Sequence, residues 1–240
     1  QPIEYHRDAI GLSPSDSTTA IGYAPWRKYA HSVAIDARVD TRYAARQRYY
    51  SITADTIHCL YQNGQGKPIA IFFPSYQYAE NIQHYLMELC PSLPVQIQEK
   101  QCDLSQQKAF IENGLANNAV LLLVLGSAFA EGIDALGGRV ELAMVVSPAL
   151  PEVNPLNQMK LEQAKIDNPS TAFQKTYIIP AFQKIHQALG RLVRSPEHSA
   201  KILLHGRRFL QTEYRELLAD EYQSDRLIKE RSDLESWLNT

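Results

Sequence analysis

Ala119-Val-Leu-Leu-Leu-Val-Leu125, followed at once by Gly126-Ser-Ala-Phe-Ala-Glu-Gly-Ile-Asp134, decides how the chain folds. Seven apolar residues in a row, rich in branched side chains and closed by a glycine, suit a strand buried on both faces, the kind found inside a parallel sheet. The run is far too short to cross a bilayer, for which about 18 or more residues are needed. Working outward, Pro68-Ile-Ala-Ile-Phe-Phe73, Val140 to Ser147 and Ala200 to His205 are further strands of this type, and Val95 to Gln98 is a short strand. Between them the spacing predicts helices over Tyr76 to Cys90, Leu104 to Asn113 with Gly114 as its stop, Leu156 to Ile166 and Ser170 to Val193. Strands alternating with helices imply βαβ units, right-handed crossovers and a three-layer α/β domain with a mainly parallel sheet.

The flanks are less regular. Gln1 to about Tyr29 mixes Pro, Ser, Thr, Asp and aromatics without a period and is expected to be loops with at most a short helix. Tyr43 to Gln62 has a helical cadence that ends at Asn63-Gly64. Its arginines, with Arg38 and Arg42 ahead of them, and its tyrosines form either a stacking surface for single strands or the solvated and packed faces of an amphipathic helix. A last helix is expected from Phe209 to Asp220, before a charged tail ending near Trp237. The resulting division is a lead-in segment over 1–62 packing on the domain, a central domain over 63–222, and a tail over 223–240.

At 240 residues and 45% apolar composition the chain can bury a proper core. Its formal net charge of -2 supplies no bulk attraction for polyanions, so any nucleic-acid contact must come from locally placed Arg and Lys. Cys59, Cys90 and Cys102 fit no zinc or iron-sulfur spacing, which leaves free thiols, no metal ligands, and an expected cytoplasmic location without membrane contact. A start at Gln1 suggests excision from a longer polypeptide.

In open parallel sheets ligands bind beyond the carboxyl ends of the strands, so the segments after each strand carry the chemistry. Ser75, with the free N–H groups of a helix start behind it, could meet a phosphate oxygen or could simply cap the helix. The Gly126 to Asp134 loop offers two glycines, a hydroxyl and two carboxylates, fit to bind a ribose or a guanidinium across a cleft, or to cap and pair locally. In Gln187-Ala-Leu-Gly-Arg-Leu-Val-Arg194 two arginines three apart share one helical face, so both guanidinium forks can reach one anion; a solvated basic helix end is the plainer account.

Taken in order, Phe72-Phe-Pro-Ser-Tyr76, Gly126 to Asp134 and Gln187 to Arg194 resemble motifs IV, V and VI of the XPD/DinG family of superfamily 2 helicases. Ala149-Leu-Pro-Glu-Val-Asn-Pro155 and Pro180 look closer to the DinG branch, and Ile10-Gly-Leu12 resembles the segment after motif III, so the likeness covers nearly the whole chain. The resemblance implies the second RecA-like motor domain of an ATP-dependent DNA helicase. Arg191 and Arg194 would act as arginine fingers on ATP and Mg²⁺ held by the first RecA-like domain of the same polypeptide. Gln187, Gly190, Glu131, Gly132 and Asp134 would line that cleft. Ser75, Tyr76, Ser127 and Phe129 would lie nearer single-stranded DNA, with RNA an open alternative. Movement would run 5′ to 3′, and an iron-sulfur cluster could belong to the parent but not to this chain.

Two positions depart from the family pattern, which has Asp-x-Gly and Asp-x-Arg after motif VI where this chain has His198-Ser-Ala200 and His205-Gly-Arg207. Neither a Walker lysine motif nor a DEAH-like box is present; Asn63-Gly-Gln-Gly-Lys-Pro68 lacks the first glycine and the final hydroxyl. The isolated chain is therefore expected to be inactive. The lost carboxylates favour, as the alternative, a degenerate RecA-like module that binds nucleic acid or protein without ATPase function.

Overall fold

The computed structural model describes residues 3–20, 22, 24–101, 103–127 and 132–240. Seven strands form one sheet: β1 His31–Asp36, β2 Ile69–Phe73, β3 Val95–Ile97, β4 Val120–Val124, β5 Leu142–Val146, β6 Ala200–His205 and β7 Leu227–Ile228. Their order across the sheet is β3-β4-β2-β5-β6-β1-β7, and every pairing is parallel. Val120 to Val124 is buried along its whole length, as are β2 and β5. Continuous apolar runs are what central strands covered on both faces require.

Alternate residues of these strands feed two cores. Phe72, Leu121, Leu123, Val145, Ile202 and Leu204 point to one face, where helices α4 (Leu104–Ala116) and α6 (Ile179–Leu189) pack through Ile111, Phe182, Ile185 and Leu189. Ile71, Phe73, Leu122, Met144 and Leu203 point to the other, covered by α2 (Tyr50–Asn63), α3 (Tyr76–Leu89) and α8 (Arg231–Leu238). Sheet and two helical layers make the three-layer α/β domain that the alternation predicts, with the RecA-like fold that the resemblance implies.

Several boundaries differ from those the sequence suggests. The sheet runs through the segments set apart as lead-in and tail: β1 pairs with β6, β7 pairs with β1, and Trp237 of α8 is buried in the second core. The period from Tyr43 becomes a helix only at Tyr50, after a 3-10 turn over Arg46–Tyr49. Upstream of it the Asp40 carboxylate accepts the Arg42 backbone N–H, a bond that favours a turn over a helix. Gly114 does not stop α4; the helix continues to Ala116, and the glycine lets it lie against β4, since a Cβ there would press on the Leu121 side chain. The long helix expected from Ser170 contains a π turn over Gln174–Ile178 just before Pro180, whose missing N–H breaks the regular ladder. The expected Phe209 to Asp220 helix is a 3-10 turn, a four-residue helix α7 (Thr212–Arg215) and a further 3-10 turn. Helices α1 (Ile3–Ile10) and α5 (Pro155–Asp167) lie outside both cores.

Candidate functional site

The segments that follow β2 and β4 leave the carboxyl edge of the sheet, whereas the segment that ends α6 lies by the amino ends of β5 and β6, where the Gly138 N–H bonds the Leu192 carbonyl. Helix α6 ends at Leu189, with Gly190 at its C-cap, so Arg191 and Arg194 sit in the turn beyond the helix rather than on one helical face. The last turn tightens as the Arg191 N–H bonds the Ala188 carbonyl at 3.3 Å, and Ser195-Pro196 prevents any continuation. Arg27, unmarked in the sequence, donates from Nη2 to the Gly190 carbonyl at 3.3 Å. A cation at that point satisfies an orphan carbonyl and complements the helix dipole.

Although they leave the helix, the arginines converge. Nη1 of Arg191 and Nη2 of Arg194 both pair with Oδ1 of Asp134. Asp134 stands in a short 3-10 turn, Gly132–Leu136, which begins at the expected Gly132. That turn is fastened to the arginine turn by the Gly138 N–H, which bonds the Leu192 carbonyl at 3.0 Å. The cluster is open: side-chain exposures are 29% for Arg191, 46% for Arg194 and 48% for Asp134. Gln187 is exposed and shares with Arg191, Lys184, Gly126 and Ser127 the lining of a cavity of about 250 Å³. Glu131 and Phe129, both expected here, lie outside the described residues.

The second group is linked by a residue the sequence did not mark. Gln98, buried just past β3, donates from Nε2 to the Ser127 hydroxyl at 2.8 Å and to the Tyr76 hydroxyl at 3.1 Å, while its Oε1 accepts the Val124 N–H at 2.8 Å. A buried side-chain amide that satisfies three groups holds Tyr76 and Ser127 in fixed relation. Ser127 also donates to the Val124 carbonyl at 2.9 Å. Ser75 is the N-cap of α3 and accepts the Tyr78 N–H at 3.4 Å, the local role Ser most often takes. Lys100 stands 5.7 Å over the Tyr76 ring and supplies a cation beside it.

The upstream arginines divide by environment. Arg46 lies 4.7 Å over both the Tyr43 and Tyr78 rings, Arg42 is paired with Asp40, and Arg48 is exposed. Arg38 belongs instead to a buried network. Its Nη2 donates to Asp36 at 2.7 Å and to the Thr56 hydroxyl at 2.8 Å. Asp36 lies opposite His205 in the β1–β6 register and holds its Nδ1 at 2.8 Å, while Nε2 meets the Thr53 hydroxyl at 3.0 Å. Burial pushes the Asp36 carboxyl up, but the charge of His205 and the hydrogen bonds and charge of Arg38 outweigh it and hold the group far below the usual carboxylate range. Where the family pattern has an aspartate at position 205, this chain has a histidine with an aspartate on the next strand.

Lys184, Arg191 and Arg194 thus lie along the segment that runs from the carboxyl end of β4 to the amino end of β5. The sequence matches the family described as helicase C-terminal domain over residues 57–225, and the chain belongs to that family. The fold is similar to that of an XPD helicase, with a TM-score of 0.72 and 20% identity over 95% of this chain and 41% of that one. It is also similar to S. tokodaii Xpd4, with a TM-score of 0.64 and 16% identity over 90% of this chain and 42% of the other. The C-terminal domain of the DEAD-box protein Dbp5 gives a TM-score of 0.50 at 12% identity, over 87% of this chain and 96% of that one. The chain thus spans about two fifths of the XPD structures it matches. No curated protein matches its sequence.

Proposed function

We propose that the chain is the second motor domain of an ATP-dependent helicase of the XPD/DinG type, nearer the DinG branch, and that it moves 5′ to 3′ on single-stranded DNA. ATP and Mg²⁺ would be held by a first RecA-like domain of the same polypeptide, which could also carry an iron-sulfur cluster. Arg191 and Arg194 would enter that cleft and neutralise charge on the transferring phosphoryl group, with Gln187, Gly190, Glu131, Gly132 and Asp134 around them. Ser75, Tyr76, Ser127 and Phe129 would face the strand.

The observation that carries this reading is the meeting of two guanidinium groups on one oxygen of Asp134. Two forks aimed at a single exposed oxyanion are arranged to accept a phosphate oxygen in its place. Cleft closure would exchange the partner, and opening would return the arginines to Asp134.

The test is the single-strand-stimulated ATPase rate of the polypeptide carrying both motor domains, for the native sequence, Arg191→Ala and Arg194→Ala, with ATP binding followed separately. A loss of about 10³-fold or more in rate with ATP still bound is expected. An unchanged rate would assign the chain to the binding-module class. The 240-residue chain by itself is expected to hydrolyse no ATP, and a metal-dependent turnover in its purified form would contradict the two-domain mechanism.

A further inference from the structure

The cavity between β4 and α6 contains a cation that the arginine mechanism does not use. Lys184 lies on α6 about one turn before Gln187. It rests on the backbone of Gly126, where a Cβ would stand 2.7 Å from Nζ; φ there is +74°, and glycine provides both the conformation and the space. The side chain is half-buried, and burial lowers the ammonium pKa. It makes no hydrogen bond or ion pair with any described residue. Of the two cations that line the cavity, Arg191 pairs with Asp134, which Arg194 also reaches, and Lys184 has no ion pair among the described residues. A partly desolvated ammonium without a counter-charge among the described residues is unfavourable, and an anion entering the cavity would relieve it.

We propose that Lys184, Gln187 and Arg191 form an oxyanion pocket that receives a phosphate oxygen, making Lys184 a phosphate-binding residue beside the two arginines. The pocket itself follows from charge and shape. The source of the phosphate rests on the proposed motor function: it is either a phosphoryl oxygen of a nucleotide held across the cleft or a backbone phosphate of a strand passing Ser127. Both present the same anionic oxygen, and Lys184 lies where the two regions meet, with Ser127 and Arg191 lining the same cavity. A lysine serves here as a compact point charge, whereas the arginines present planar forks.

The experiment is acylation of the 240-residue chain by acetic anhydride at neutral pH, with the rate at each lysine read by mass spectrometry. It is run without addition and with pyrophosphate, ATP or an oligothymidylate. Pyrophosphate is expected to slow labelling of Lys184 about fivefold or more and to leave exposed Lys67 unchanged. Lys184→Met, which keeps the stem against Gly126, is expected to weaken pyrophosphate binding about tenfold with an unchanged urea midpoint. Protection by oligothymidylate but not ATP identifies the strand as the source, and the reverse identifies the nucleotide. Protection by pyrophosphate without either leaves the pocket standing and removes the motor reading instead. Equal labelling of Lys184 with and without every phosphate probe overturns the proposal, whatever the variant does.

Discussion

Two clusters on one sheet, one at its carboxyl edge and one near the amino ends of β5 and β6, use similar residue types for opposite ends. Beside β1 and β6, Asp36, His205, Thr53 and Arg38 close on one another, and both Asp36 and His205 are 0% exposed. Beyond β4 and α6, Asp134, Arg191 and Arg194 are partly exposed, and Arg191 lines a cavity with the half-buried Lys184. The Thr53 hydroxyl donates to the Tyr49 carbonyl at 3.0 Å and is buried on the inner face of α2, where no substrate can reach it. Burial, more than residue identity, separates a fixed structural network from a site whose ion pairs can exchange. In the closed network a lost partner leaves a buried charge unmatched; in the open one water and counter-ions take its place.

The sharpest way to break this contrast is to remove one acid from each cluster. Asp36→Asn is expected to cost about 3–5 kcal/mol in urea unfolding, because His205 and Arg38 lose their buried counter-charge. A loss below about 1 kcal/mol would show that the network is not the clamp described here. Acid titration is the next largest effect. His186 accepts the Ala219 N–H at 3.2 Å, and burial lowers its pKa to about 4. Its depressed pKa means that stability is present above the ordinary histidine range and lost as pH falls from about 6.5 toward 4. Asp36, also depressed, contributes a further loss below the usual carboxylate pKa near 4. His186→Gln should remove the upper part of that acid slope, a change read by unfolding midpoints at pH 7, 6 and 5. In the open cluster Asp134→Asn is expected to change stability by less than about 1 kcal/mol while tightening pyrophosphate binding several-fold, since both guanidinium groups are released. Weaker pyrophosphate binding in that variant would mean that Asp134 organises the arginines rather than holding their place. The smallest effect belongs to the exposed Lys67–Glu141 pair at 2.8 Å, whose removal by Glu141→Gln should stay within about 0.5 kcal/mol.

Legibility followed the range of the forces involved. The four strands with strong apolar runs, β2, β4, β5 and β6, were readable because burial imposes a composition of its own. The strands β1 and β7 were not: β1 carries His31 and Asp36 at its ends, and β7 is two residues long. Their place comes from pairing with distant strands. In the site, the convergence of Arg191 and Arg194 on one anion was foreseeable from their spacing. The helical face invoked for it was wrong, because Gly190 and the following turn end α6 first. Gln98 and Arg27 gave no signal, since one neutral amide and one arginine in a loop look like solvated residues until their partners are known. The phosphate role entertained for Ser75 stands beside a helix cap that the structure does display.

The sequence by itself determined the alternation of strand and helix, the sheet's parallel character and the loops that follow β2 and β4 at its carboxyl edge. These depend on local apolar period, on turn residues and on spacing, all of which are properties of the linear chain. Tertiary structure alone decided which acid meets which base. Asp36 reaches His205 across 169 positions and Arg194 reaches Asp134 across 60, and burial then fixes one pair while leaving the other free to exchange. Charge pairing and desolvation depend on distances through space, and no period along the chain encodes them.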